Sequence, residues 1–137
     1  MPVRLLSSSV LKWPSAHIVD QALRRWTEKV AGERADILQI GYFGSYARGD
    51  WGVGSDLDLI IILRNSDQPF ANRSSGFDTA ELPVPADVLV YTTTEWQLLA
   101  QQRRFYETVS REIVWVYSRD QALFATVGFK DDPGPEE

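Results

Sequence analysis

From Ser15 to Val30 apolar residues return at helical intervals: Ile18, Ala22, Leu23, Trp26 and Val30 form one stripe, as an amphipathic helix requires. Ser15 suits a start cap and Gly32 an end, so the pattern predicts a helix from His17 with that stripe buried. "DILQIGYFG" sets Ile37 and Gln39 against Leu38 and Ile40 and stops at a glycine, the signature of a strand feeding a turn. "SYAR" has room for one helical turn, and the unbroken apolar run of "LDLIIIL" predicts a strand buried on both faces. In "VPADVLVYT" Val88 and Val90 share one face while Asp87, Leu89 and Tyr91 share the other. "TTEWQLLAQQRRFYETVSRE" reads as one helix capped by Thr93 or Thr94, with Trp96, Leu99, Gln102 or Arg103, and Tyr106 on a recurring face. "EIVWVYS" closes the set as a last strand or a short apolar segment. Between the second and third strands lies "RNSDQPFANRSSGFDTAELP", a long run of loop signals that points to a functional or mobile connection. The order helix, strand, strand, strand, helix, strand predicts an α+β (α/β-like) fold, a small mixed sheet with helices packed on it.

Length changes this picture little: 137 residues suit one domain with a sizeable core. The chain divides into an irregular lead-in over 1–16, a folded domain over 17–117 and a C-terminal segment over 118–137 with an acidic tail, read as solvated and disordered. Formal charge is −5, and Asp131, Asp132, Glu136 and Glu137 supply four of those negatives. The folded part is therefore close to neutral, which removes the electrostatic case for nucleic-acid binding. With no cysteine and a single histidine, disulfides, thiolate metal sites and a cysteine nucleophile are excluded, and any metal must be held by oxygen or by His17. No stretch approaches the roughly 20 apolar residues that span a bilayer, and the first residues lack a secretory run. The expected location is the cytoplasm.

Charge enters the core at one place, "GSYARGDWGVGSDLDLIII". Asp56 and Asp58 are two residues apart at the front of the apolar strand, so both side chains project from one face, with Cα atoms roughly 6–7 Å apart. Two carboxylates so placed disfavour each other's ionisation and are costly to desolvate. Arginine or lysine could answer this charge, with Asp56 then a mere turn residue and Asp58 paired to an arginine; Mg²⁺ answers it better, since it prefers carboxylate oxygens and commonly binds through one or two carboxylates plus substrate phosphates. Asp87, opening another apolar strand, has the character of a third ligand, and Asp78 in "GFDTAE" competes for that place. Upstream, Gly44 and Ser45 stand at a strand-to-helix turn, where backbone N–H groups favour an anion. Arg48 either neutralises phosphate charge or pairs with a carboxylate and holds the turn.

The whole string G-S-x-A-R-G-x5-S-D-x-D-L, carried by Gly44, Ser45, Ala47, Arg48, Gly49, Ser55, Asp56, Asp58 and Leu59, resembles the nucleotidyltransferase superfamily with the DNA polymerase beta-like palm fold, in particular its minimal nucleotidyltransferase branch. The resemblance implies that Gly44, Ser45, Arg48 and Ser55 bind nucleotide. It implies equally that Asp56, Asp58 and Asp87 are catalytic and hold two Mg²⁺ ions, or Mn²⁺. The implied reaction moves a nucleoside monophosphate, AMP from ATP, to an acceptor hydroxyl. Minimal members are often antitoxins partnered by a HEPN-type protein, which here implies a partner-borne acceptor. Two alternatives stand beside it: transfer to a small molecule such as an aminoglycoside, and a non-catalytic module that neutralises a partner by docking.

Other conspicuous residues read as structural. His17 lies at a helix start, Trp26, Trp96 and Trp115 fill core positions, and Arg103 and Arg104 are solvated. Trp51, in the glycine-rich connection, is a candidate to stack on a base. "NRSSG" lacks the lysine and following helix of a P-loop.

Overall fold

The computed structural model describes residues 13–119. Of the lead-in expected over 1–16, residues 1–12 lie outside the described residues, as does the acidic tail, and the lead-in's last residue, Ala16, already opens a helix. Helix α1 (Ala16–Glu33) is followed by β1 (Ile37–Phe43), the short α2 (Ser45–Arg48), β2 (Leu57–Leu63), the short α3 (Phe70–Arg73) with a 3₁₀ turn at Ser74–Gly76, β3 (Ala86–Thr92), α4 (Thr93–Leu99), α5 (Arg103–Glu112) and β4 (Val114–Ser118). The four strands form one mixed sheet in the order β3-β2-β1-β4. β1 runs antiparallel to β2 and β4, and β2 runs parallel to β3. α1 covers one face, and α4 with α5 covers the other.

Ser15 caps α1 as expected, its hydroxyl accepting from the Ile18 N–H at 3.3 Å. The buried stripe is turned by one residue from the sequence pattern: Val19, Leu23, Trp26, Thr27 and Ala31 face the sheet, while Ile18 is 52% exposed. Positions 19, 23, 26 and 27 repeat at the same helical spacing as 18, 22, 23 and 26, so apolar periodicity allows either phase, and docking chooses. Gly32 does not end the helix, which runs one residue past it.

β2 is buried along nearly all its length, as its continuous apolar run predicts. Leu57, Leu59, Ile61 and Leu63 face α1, while Ile60 and Ile62 face α4 and α5. Each such buried aliphatic side chain contributes about 1.5–3 kcal/mol of transfer free energy. The strict alternation expected in β1 is broken by a bulge between Ile37 and Gln39, which puts Ile37 with Ile40 on the α1 side and Leu38 on the other. The extra residue is what a β-bulge inserts.

The single helix expected over 93–112 is two. Its cap is Thr92, not Thr93 or Thr94: the Thr92 hydroxyl accepts from the Glu95 N–H and Glu95 reaches back to the Thr92 N–H, a full capping box. The first helix tightens at its end, where Gln101 and Gln102 donate to the carbonyls of Leu98 and Leu99 at 3.0 and 2.8 Å. No glycine or proline marks the break, and its cause is tertiary. Phe105 packs edge-on against Phe43 of β1, with ring centroids 6.3 Å apart, and Val109 is buried in the same layer.

The long 64–85 connection is pinned rather than loose. Phe77, Leu82 and Val84 are buried beneath α1, and the Trp26 indole donates to the Asp78 carbonyl at 2.8 Å. Arg73, 7% exposed, forms a two-pronged pair with Glu95 and donates to the Gln68 and Val90 carbonyls. Its guanidinium holds the Glu95 carboxyl below its ordinary value. A carboxyl with a depressed folded value stabilises the fold at pH above its unfolded value, near 4.5, and this is lost as pH falls through the lower folded value. The Glu95 side chain is 39% exposed, so screening keeps the effect modest. Urea unfolding followed downward from neutral pH is therefore expected to show a stability loss below that value which shrinks in Glu95→Gln. An equal loss in the variant excludes this pair as a source.

Candidate active site

The strand register lines up the site. At one end of the sheet Phe43 of β1 pairs with Asp58 of β2, and Asp58 pairs with Asp87 of β3, so two carboxylate-bearing positions stand on adjacent strands about 4.8 Å apart. Asp58 is half-buried, and Asp56 is exposed just before the strand. Burial pushes the Asp58 carboxyl above the ordinary aspartate range, and the charges of Asp87 and Asp56 push it further, with Arg48 opposing. The cluster thus carries negative charge that its own residues leave uncompensated.

Gly44 ends β1 and opens the turn beside this row. Its φ of 82° lies in the region that favours glycine, and a Cβ at this position would collide with the Asp58 Oδ2. Absence of a side chain is what lets the turn backbone approach the carboxylate. Gly49, with φ 91°, closes α2 by donating to the Ser45 carbonyl at 2.9 Å. The Ser55 hydroxyl, expected at the nucleotide, accepts from the Gly52 N–H at 2.8 Å and so clasps the connection leading to Asp56.

Arg48 pairs with carboxylates: Asp50 at 3.1 Å and Glu112 at 3.3 Å. Glu112, at the end of α5, also accepts from the Gly44 N–H at 2.8 Å. Sequence reading passed over Glu112. The one local signal was an acidic residue in the last turn of a helix, where the peptide dipoles disfavour it.

Two cavities meet at Asp58. One, about 410 Å³, is lined by Gly44, Ser45, Arg48, Asp56, Phe105 and Glu112 among others. The second, about 520 Å³, is lined by Asp87, Ser74, Ser75, Phe77 and Thr79 among others, and Phe43 and Asp58 belong to both. Ser74 and Ser75 come from the "NRSSG" stretch set aside as a phosphate loop. Asp78 lines neither cavity; its carboxylate accepts from the Ala80 N–H at 3.0 Å. Trp51, a candidate to stack on a base, stacks instead on Tyr46, with ring centroids 5.6 Å apart and planes 7° apart.

Among the described residues no three acidic or imidazole side chains converge as a ready-made metal cage. The donor set nevertheless fits Mg²⁺, because hard carboxylate oxygens with uncompensated charge, completed by phosphate oxygens and water, are how this ion is usually held.

The half-buried Asp58, flanked by the exposed Asp56 and Asp87, stands beside the Gly44 turn at the end of a mixed four-stranded sheet. The nucleotidyltransferase domain model matches residues 23–115, and the chain belongs to that family. Two solved structures share the fold. One is a candidate nucleotidyltransferase from Sulfolobus solfataricus, with TM-score 0.56 and 18% identity, the match covering 76% of this chain and 84% of that one. The other is a mutant of the toxin–antitoxin pair MntA–HpeT, with TM-score 0.51 and 13% identity, covering 76% and 80%. Among curated proteins none matches this chain. Among the described residues no helix is long and apolar enough to cross a membrane.

Proposed function

We propose that this nucleotidyltransferase moves AMP from ATP to a hydroxyl on a partner protein, as the antitoxin of a toxin–antitoxin pair whose other member is of HEPN type. The observation that carries the proposal is the Asp58–Asp87 register beside Gly44, which sets carboxylates between two cavities. Gly44, Ser45 and Arg48 bind the triphosphate in the smaller one, with Ser55 holding the connection to Asp56. Asp56, Asp58 and Asp87 would hold Mg²⁺, which when bound neutralises the charge developing on the attacking and leaving oxygens.

In-line displacement needs the acceptor opposite the leaving pyrophosphate, and the larger cavity lies across Asp58 from the turn. The acceptor oxygen bonds to the α-phosphorus, the bond from that phosphorus to the bridging oxygen breaks, and pyrophosphate departs. Asp87, at the acceptor cavity, takes the hydroxyl proton. Among the described residues that cavity is lined by hydroxyl, apolar and acidic side chains and no basic one. This favours an uncharged protein hydroxyl over the anionic end of a nucleic acid. Kinship in fold with a toxin–antitoxin protein supports a partner-borne acceptor.

Labelled ATP and Mg²⁺ with the product of the neighbouring gene test the reading. Label on that partner is expected from the intact chain, and at least about a thousandfold less from the Asp56→Ala, Asp58→Ala double variant. Tight binding of the partner with no transfer overturns catalysis in favour of docking, and label on an aminoglycoside alone moves the acceptor to a small molecule.

A further inference from the structure

Glu112 is an unexpected occupant of the turn. It ends α5, where the negative end of the peptide dipoles works against a carboxylate. Its side chain is 15% exposed, and it lines the same cavity as Asp56 and Asp58. What holds it there is a pair of donors on one oxygen: Glu112 Oε2 accepts from the Gly44 N–H at 2.8 Å and from Arg48 Nη1 at 3.3 Å. A backbone N–H and a guanidinium converging on one carboxylate oxygen is the arrangement a phosphate oxygen would take.

We propose that Glu112 is a built-in stand-in for phosphate, which the incoming triphosphate displaces from Gly44 and Arg48, so that this residue sets the affinity for nucleotide. The proposal rests on the nucleotide site argued above. The Gly44 N–H is a single donor and cannot serve carboxylate and phosphate at full strength together. Displacement asks little of the fold, since a glutamate side chain leaves by rotation about its own bonds while α5 stays anchored by Val109 and Phe105. Arg48 keeps Asp50 as its other partner. Apparent affinity is then the intrinsic affinity scaled by the fraction of molecules whose turn is free. Glu112 thereby belongs with the residues that position substrate and touches no reacting atom.

Calorimetric titration of a non-hydrolysable ATP analogue with Mg²⁺ into the intact chain, Glu112→Gln and Glu112→Ala tests this. About tenfold tighter binding is expected for Glu112→Ala, with Glu112→Gln between, because an amide oxygen still accepts but carries no charge. Without nucleotide, hydrogen exchange at the Gly44 amide is expected to be faster in Glu112→Ala than in the intact chain. Equal or weaker binding by folded variants overturns the proposal and makes Glu112 a brace between α5 and the turn; so does unchanged exchange at Gly44. Failure of every form, intact chain included, to bind the analogue removes the nucleotide site itself, and binding by the intact chain alone removes only the role of Glu112. Should the alanine variant fail to fold, the near-isosteric glutamine variant decides.

Discussion

Gly44→Ala is expected to lower nucleotidyl transfer by about 10²–10³-fold in a protein that still folds. Two separate effects meet at this residue. The φ of 82° imposes a backbone cost of roughly 1–3 kcal/mol on any residue with a Cβ. The new methyl also runs into the Asp58 Oδ2, so the carboxylate must leave its place beside Asp87 or the turn must retreat from it. Catalytic groups tolerate little misplacement, and about 1 Å can cost a hundredfold. Gly49→Ala is the control for turn strain: at φ 91° and ψ 7° it lies in the left-handed helical region, a milder strain than φ 82° and ψ −154° at Gly44, and nothing lies within 4 Å of its would-be Cβ. Urea melts are expected to show the larger destabilisation at position 44 and a smaller one at 49, while transfer assays show the large loss only at position 44. Equal loss of transfer in both would mean that turn strain, and not the approach to Asp58, governs the site.

Arg73→Ala is expected to cost about 2–4 kcal/mol of stability, read as a lowered urea midpoint. The guanidinium sits 7% exposed and serves Glu95, the Gln68 carbonyl and the Val90 carbonyl together. Alanine leaves the buried Val90 carbonyl and the part-buried Gln68 carbonyl without this donor. Arg73→Lys should recover little, because an ammonium cannot reproduce the two-pronged pair with Glu95 and still reach both carbonyls. Ser74 and Ser75 follow directly, so the wall of the larger cavity loosens with the anchor, and acceptor use falls more than nucleotide binding. A loss below about 1 kcal/mol would show that the connection is held by Phe77, Leu82 and Val84 alone.

Much of the fold was legible locally. β2 announced itself by an unbroken apolar run, β3 by alternation, and α1 by periodicity and its Ser15 cap. Where the local reading failed, a non-local contact had decided. The phase of α1 was settled by which stripe met the sheet, and the break between α4 and α5 by Phe105 reaching Phe43. The cap of α4 is the exception, a local miss: Thr92 takes it because Glu95, three residues on, completes a box there.

The site divides in the same way. Gly44, Ser45, Asp56 and Asp58 lie within fifteen residues of one another, so their chemistry was written in spacing that any chain folding as strand, turn, strand must bring together. Asp87 could be placed on a face from its alternation, but its position beside Asp58 came from the parallel pairing of β2 with β3, joined by a connection whose course the sequence does not dictate. Glu112 meets Gly44 across 68 residues. Periodicity reports only which side of an element is apolar; which polar groups then face each other depends on how elements dock. That is why the sequence by itself determined the reaction class, while only the tertiary structure decided that the Glu112 carboxylate meets the Gly44 turn.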